Sequence, residues 1–268
     1  MKKYPPSINC KRALEIMGLF LEKYLKNAKK EKFVLGLSGG VDSSVVAGVV
    51  CETVGKEKLV AVKMPYKTSN PQSEKDADLV IKKYKLNSYR VDISNIVDSY
   101  FEENQFLTED TSNPFFRVRK GNFAARARMA VLFDISAREN GLVLGTGNRS
   151  EILLGYTTWY GDSASSLNPI GNLYKAQVYQ LAKHLGIPEN IISKAPSADL
   201  WANQTDEGDM EIKYKDADAV LYLIYDEKKN PSEVSRILKI STGMIEKIIQ
   251  RVKNNQFKRK LPPIARIF

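Results

Sequence analysis

The stretch Leu37-Ser38-Gly39-Gly40-Val41-Asp42-Ser43-Ser44 follows a short apolar run, Phe33-Val34-Leu35-Gly36, and opens an apolar, helix-like one. That order reads as strand, tight turn and helix start. Adjacent glycines let backbone N–H groups come close to an anion, and a helix beginning at Asp42 or Ser43 aims the positive end of its dipole into the turn. Phosphate fits such a cradle. The spacing is neither GxxxxGK[ST] nor GxGxxG, and Asp42 stands where a Walker lysine would be. A carboxylate beside a polyphosphate is repulsive on its own, so the pair calls for a Mg2+ that bridges both. A second carboxylate, Glu151, closes Gly145-Thr146-Gly147-Asn148-Arg149-Ser150-Glu151. Taken alone, that segment reads equally well as helix capping.

These two turns need a frame that brings them together. Periodicity predicts a helix over residues 11–29, a strand over 33–36, a second helix after the glycine turn and a strand from Lys58 to Met64. A helix over 71–84 follows, with Pro71 in its first turn, and then a strand from Ser88 to Asp92. Asn122 to Asn140 reads as a long helix, Leu142 to Thr146 as a buried strand, and Arg149 to Leu154 as the start of another helix. The alternation implies an α/β fold: a Rossmann-like, doubly wound, mostly parallel sheet with helices on both faces. Residues from Lys213 onward read as a helical C-terminal portion broken at Pro231 and around 241–243. Ligands of such sheets sit at the carboxyl ends of the strands, where both turns lie. Residues 106–120 and 197–210 lack clear periodicity and read as lids or loops.

Composition narrows the chemistry. The chain has 268 residues, enough for one large α/β domain, and residues 1–268 are expected to form a single one. Its one histidine, His184, rules out a multi-histidine metal site and sits before Gly186 and Pro188, at a predicted helix end. Two cysteines, Cys10 and Cys51, have no metal-site spacing. No apolar run approaches the ~20 residues of a membrane span, and the N-terminus lacks the apolar core of a signal peptide. A soluble, cytoplasmic protein is expected. A net charge of +10 calls for acidic partners, either nucleic acid or a small phosphorylated substrate.

The glycine-turn string resembles the signature of the PP-loop ATP pyrophosphatases, which cleave ATP between the α and β phosphates. With Gly121-Asn122-Phe123-Ala124-Ala125-Arg126, the Glu151 segment, Tyr160-Gly161-Asp162, Asn168-Pro169-Ile170, Leu173-Tyr174-Lys175, Pro196-Ser197-Ala198-Asp199-Leu200-Trp201 and Gln204-Thr205-Asp206-Glu207, the chain resembles the NAD synthetases of that superfamily. The likeness runs from about residue 10 to 266. It implies an ammonia-dependent ligase that adenylates the nicotinate carboxylate of deamido-NAD with ATP, releasing pyrophosphate, and then displaces AMP with ammonia. It implies ATP contacts at Gly36, Leu37, Ser38, Gly39, Gly40, Val41, Asp42, Ser43, Thr146, Lys175 and Ser197, Mg2+ on Asp42 and Glu151, and deamido-NAD contacts at Arg126 and Lys258. Asp42, Glu151 and Lys175 would act electrostatically, with no acid/base residue of the usual kind. The family also implies a homodimer with the dinucleotide site at its interface, to which the apolar face of residues 11–25 could contribute, an intramolecular core contact being equally consistent. No glutaminase domain, nucleic acid or membrane partner is expected. By residue type alone, Arg126 and Lys175 are equally at home as solvated helix residues, and Lys258 as part of a basic tail.

Three positions depart from the commoner family pattern: Trp159 replaces a lysine, Ser166 an aspartate and Phe257 a histidine, all three of which help to bind deamido-NAD in the family. A differently built nicotinate pocket is implied, in which Trp159 or Phe257 could stack on an aromatic ring. Rival readings are another PP-loop ligase or tRNA-modifying enzyme, and a basic RNA-binding protein on a degenerate nucleotide fold.

Overall fold

The computed structural model describes residues 3–104, 114–201 and 204–267. Helix α1 (Cys10–Asn27) is capped by the Asn9 side chain and leads into β1 (Lys32–Gly36), α2 (Val41–Thr53) and β2 (Leu59–Lys63). Helix α3 (Pro71–Tyr84) has Pro71 in its first turn, as expected, and Asn70 as its cap. Then follow β3 (Asn87–Arg90), α4 (Ser94–Glu103), α5 (Pro114–Arg138), β4 (Gly141–Leu144) and α6 (Arg149–Leu154). The remaining α-helices are α7 (Lys175–His184), α8 (Glu189–Ile192), α9 (Asp206–Met210), α10 (Tyr214–Leu221), α11 (Pro231–Leu238) and α12 (Thr242–Asn254).

The four strands form one parallel sheet in the order β3-β2-β1-β4, with Phe33 in register with Leu59 on one side and Leu142 on the other. Strand alternation sorts its side chains. Phe33 and Leu35 join α1, α2, α3 and α7 on one face, while Val34 packs with Val60, Val62 and Ile135 of α5 on the other. Helix α2 is buried nearly all round, as a helix without a polar face must be. At Gly48 a β-carbon would come within 2.8 Å of the Tyr84 hydroxyl, which is how closely α2 approaches α3. A separate apolar cluster joins α10, α11 and α12 to Leu154 and Tyr174, docking the C-terminal helices beside α6 and α7.

Several expectations need correcting. Helix α5 starts at Pro114, so the segment read as the loop 106–120 is partly helix; residues 105–113 lie outside the described residues. Its first two turns put Arg117, Arg119 and Lys120 among apolar residues, which hid the period. Helix α4 was not anticipated, and α9 falls inside the segment read as the loop 197–210, of which residues 202–203 are not described. The apolar stripe of α1 packs inward through Met17, Leu21 and Leu25, the core contact that the sequence allowed, while Ile16, Leu19 and Tyr24 of the same helix stay exposed. Among the described residues no helix is long and apolar enough to cross a membrane.

Candidate functional site

Strand order reverses at β1, whose neighbours are β2 on one side and β4 on the other. The turns after β1 and β4 therefore splay apart and open a crevice between them. A cavity of about 1310 Å3 lies there, lined by residues 36–38 and 40–43 of the first turn together with Thr146, Glu151, Lys175, Ser197 and Lys258. Gly39 forms the back of the turn. Its φ is +77°, and a β-carbon would lie 2.1 Å from the Ser73 carbonyl oxygen, so both the conformation and the space require glycine. Gly40 caps α2 without a side-chain acceptor, so the N–H groups of that end face the crevice. The Ser38 and Ser43 hydroxyls lie 3.2 Å apart within the turn.

Asp42 meets three elements. Its Oδ1 accepts a hydrogen bond from Asn148 Nδ2 at 2.9 Å, and its Oδ2 accepts one from Lys175 Nζ at 2.5 Å. The same ammonium lies 3.5 Å from Glu151 Oε1. Asn148 is wholly buried and forms a capping box with Glu151 at the start of α6, so one local motif orients both the carboxylate and the amide that reaches Asp42. Lys175 opens α7 and is only 2% exposed. Its backbone N–H donates to Ser150 Oγ, and that of Ala176 donates to Asp218 Oδ2, anchoring the first turn of α7 and aiming the lysine into the crevice. The sequence allowed a solvated Lys175; the fold buries it.

Burial and the neighbouring Asp42 carboxylate push the Glu151 carboxyl up to about 8, against the pull of Lys175. Burial works against the Lys175 ammonium, but Asp42 and Glu151 outweigh it and hold its pKa above the ordinary lysine range. Tyr214 of α10 adds a hydroxyl that donates to Asp206 Oδ2 at 3.0 Å and reaches Glu151 Oε1 at 3.4 Å. Asp206 is 4% exposed, and its Oδ1 has no hydrogen-bond partner. Sequence reasoning assigned no role to Asn148, Asp206, Tyr214 or Asp218. An Asn-x-x-Glu capping pattern could have pointed to Asn148; nothing local marks the others.

The second group of expected residues is arranged differently. Lys258 lines the cavity, but its Nζ donates to the Gly155 and Thr157 carbonyls, each at 2.8 Å. Arg126 is exposed on α5 and donates to the Trp159 carbonyl, outside the cavity wall. Ser197 is exposed and its Oγ accepts from the Asp199 N–H. Trp159 stacks on Tyr160 and meets Phe257 edge-on at 5.3 Å, so two of the three departing positions pack on each other. Ser166 is spent on β4, its hydroxyl accepting from the Val143 N–H at 3.1 Å.

The NAD synthase family model matches residues 13–262. The chain belongs to the NAD synthase family. It is 44% identical over 260 residues to the NH3-dependent NAD+ synthetase of Fusobacterium nucleatum, covering 97% of both chains. Among solved structures it resembles an NH3-dependent NAD synthetase from Campylobacter jejuni (TM-score 0.79, 33% identity, 97% of this chain and 100% of that one). It also resembles an NMN synthetase from Francisella tularensis (TM-score 0.83, 31% identity, 98% and 100%). The family accounts for the glycine turn, the parallel sheet and the crevice at its switch point. A tRNA-modifying enzyme that works through reactive thiols is not favoured: Cys10 and Cys51 are free, and burial pushes the Cys51 thiol up to about 12, away from a reactive thiolate.

Proposed function

We propose that this chain is an ammonia-dependent NAD synthetase that converts deamido-NAD, ATP and ammonia into NAD, AMP and pyrophosphate. The observation that carries this reading is the meeting of Asp42, Glu151 and Lys175 beside the glycine turn, in one cavity that extends to Lys258. The nicotinate carboxylate attacks the ATP α-phosphorus and the bond to the β-phosphate oxygen breaks. The turn N–H groups and the Ser38 and Ser43 hydroxyls receive the charge that collects on the departing pyrophosphate. Ammonia then attacks the acyl carbon of the adenylated nicotinate, AMP leaves with the bonding pair, and one proton is lost from nitrogen. Thr146 and Ser197 supply hydroxyls to ATP, while Arg126 and Lys258 take the dinucleotide, Arg126 by swinging off the Trp159 carbonyl.

The residues present fit a Mg2+ ion. Among the described residues no group of three or more metal-ligating side chains is preformed. Two hard oxygen donors, from Asp42 and Glu151, nevertheless converge on one cation, the Lys175 ammonium, and the buried Asp206 Oδ1 nearby is unpartnered. Mg2+ held by Asp42 and Glu151 would neutralise phosphate charge, leaving Lys175 free to turn toward the transferring phosphoryl group. We further propose a cytoplasmic homodimer formed by residues 1–268 as a single catalytic unit. Leu261 and Ile264, 89% and 90% exposed, are apolar surface that such a partner would cover.

A second reading has a specific observation behind it. Resemblance to an NMN synthetase, with the aromatic pair Trp159 and Phe257 at altered positions, favours testing nicotinate mononucleotide as the acid substrate. One product assay decides: the purified chain with Mg2+, ATP and ammonium is given either acid, and AMP, pyrophosphate and the amide are quantified. Faster turnover of deamido-NAD supports the proposal, and faster turnover of the mononucleotide replaces it with the second reading. ADP and phosphate as products would remove the chain from this chemistry.

A further inference from the structure

The glycine turn has a second lysine beside it. Lys194 follows α8, lines the same cavity, and its Nζ donates to Ser73 Oγ at 3.0 Å and to Asp76 Oδ2 at 3.2 Å. Ser73 and Asp76 are the residues against which Gly39 packs: an added β-carbon there would meet the Ser73 carbonyl at 2.1 Å and the Asp76 β-carbon at 3.1 Å. Lys194 is thus tethered next to the turn, through α3, on a different wall from Lys175.

We infer that Lys194 is a phosphate-binding cation of this site, taking the pyrophosphate end of ATP as it departs. This rests on the ligase reading above and extends it to a residue that the motifs did not single out. Two features of its surroundings suit the role better than a purely structural ion pair does. Asp76 is 1% exposed, and its Oδ1 already accepts from Gln72 Nε2 and Asn190 Nδ2, each at 2.8 Å. The carboxylate therefore keeps two donors when Lys194 leans toward an anion, which makes it a tether and not a sink. The lysine side chain also keeps 27% of its surface open, whereas Lys175 is nearly sealed and shared between two carboxyl groups. Phosphate arriving at the turn meets a sealed ammonium on one wall and a partly open one on the other.

The test titrates inorganic pyrophosphate with Mg2+ into wild type, Lys194→Met and Lys194→Arg by calorimetry, with steady-state kinetics alongside. Loss of one charge-assisted phosphate contact is expected to weaken pyrophosphate binding by roughly tenfold or more in Lys194→Met and to raise KM for ATP to match. KM for the nicotinate substrate should stay unchanged, and Lys194→Arg should recover most of the loss. Pyrophosphate affinity equal in Lys194→Met and wild type, or both substrates weakened alike, overturns the inference. Release of AMP and pyrophosphate by the wild type is read separately: its failure would overturn the ligase reading, while the titration still decides whether Lys194 holds phosphate.

Discussion

The two ends of the cavity are built to different standards. At the glycine-turn end, residues from α2, α6, α7, α9 and α10 close a network in which Asp42, Asn148, Glu151, Lys175, Asp206 and Tyr214 hold one another. At the opposite end, Lys258 is occupied by backbone carbonyls, Arg126 faces outward, and Trp159 and Phe257 pack together near the surface. Strand ends and helix first turns supply the first group, and the sheet register sets their separation. Helix surfaces and the C-terminal segment supply the second, with no common frame. Under the proposed roles the phosphate end is pre-organised, whereas Lys258 and Arg126 would have to change partners to take the acid substrate.

Removing a carboxylate from the organised end should have the largest effect. Asp42→Asn or Glu151→Gln is expected to lower kcat by about a hundredfold or more with the melting transition retained, since transition-state charge loses its main support. Near-normal turnover in either variant would end the proposed metal role of that residue. On stability instead of turnover, Lys175→Met strands two carboxyl groups and should cost about 3–5 kcal/mol in denaturant melts. Added Mg2+ should restore part of that loss. If it does not, the two carboxylates do not form a cation site.

Asp218 offers a pH test of the scaffold behind Lys175. Burial pushes its carboxyl up from 3.8 to about 6, against the hydrogen bonds from Ser150 and the Ala176 N–H. The folded state therefore holds a proton that the unfolded state has released. Its contribution is intact below about pH 4 and is lost as pH rises through 6, by roughly 3 kcal/mol. Urea melts of Asp218→Asn should lack this component, so the variant gains on wild type between pH 4 and 7. An unchanged gap would mean that the carboxylate is fully compensated in the fold. The smallest effect belongs to the loose end: Trp159→Lys with Phe257→His should alter KM for the nicotinate substrate by up to roughly tenfold and KM for ATP hardly at all. Equal effects on both would erase the distinction between the two ends.

Much of this organisation was legible beforehand. The β1 turn and the parallel sheet around it follow from local signals, paired glycines, apolar runs of strand length and caps at helix starts, whereas the pairing of Asp42 with Glu151 comes from the likeness to the family. Those signals act over a few residues, which is why α3 is matched at both ends while α4 and the first turns of α5 escape, their apolar positions being diluted by charge. The family motifs added Lys175, Thr146, Ser197, Arg126 and Lys258 as site residues but not their surroundings.

The amino-acid sequence by itself determined the fold class and the anion-binding turn, because each is written in short-range pattern and residue type, and its likeness to the family supplied the type of reaction. Only the tertiary structure decided that Lys175 is buried between two carboxyl groups, that Asp206 and Tyr214 join them from the C-terminal helices, that Lys194 stands beside Gly39, and that Trp159 meets Phe257. Each of these contacts joins residues distant in sequence. Their meeting depends on the pairing of β1 with β4 at the switch point and on the docking of α10 and α12 beside α6 and α7, and no local interaction specifies either.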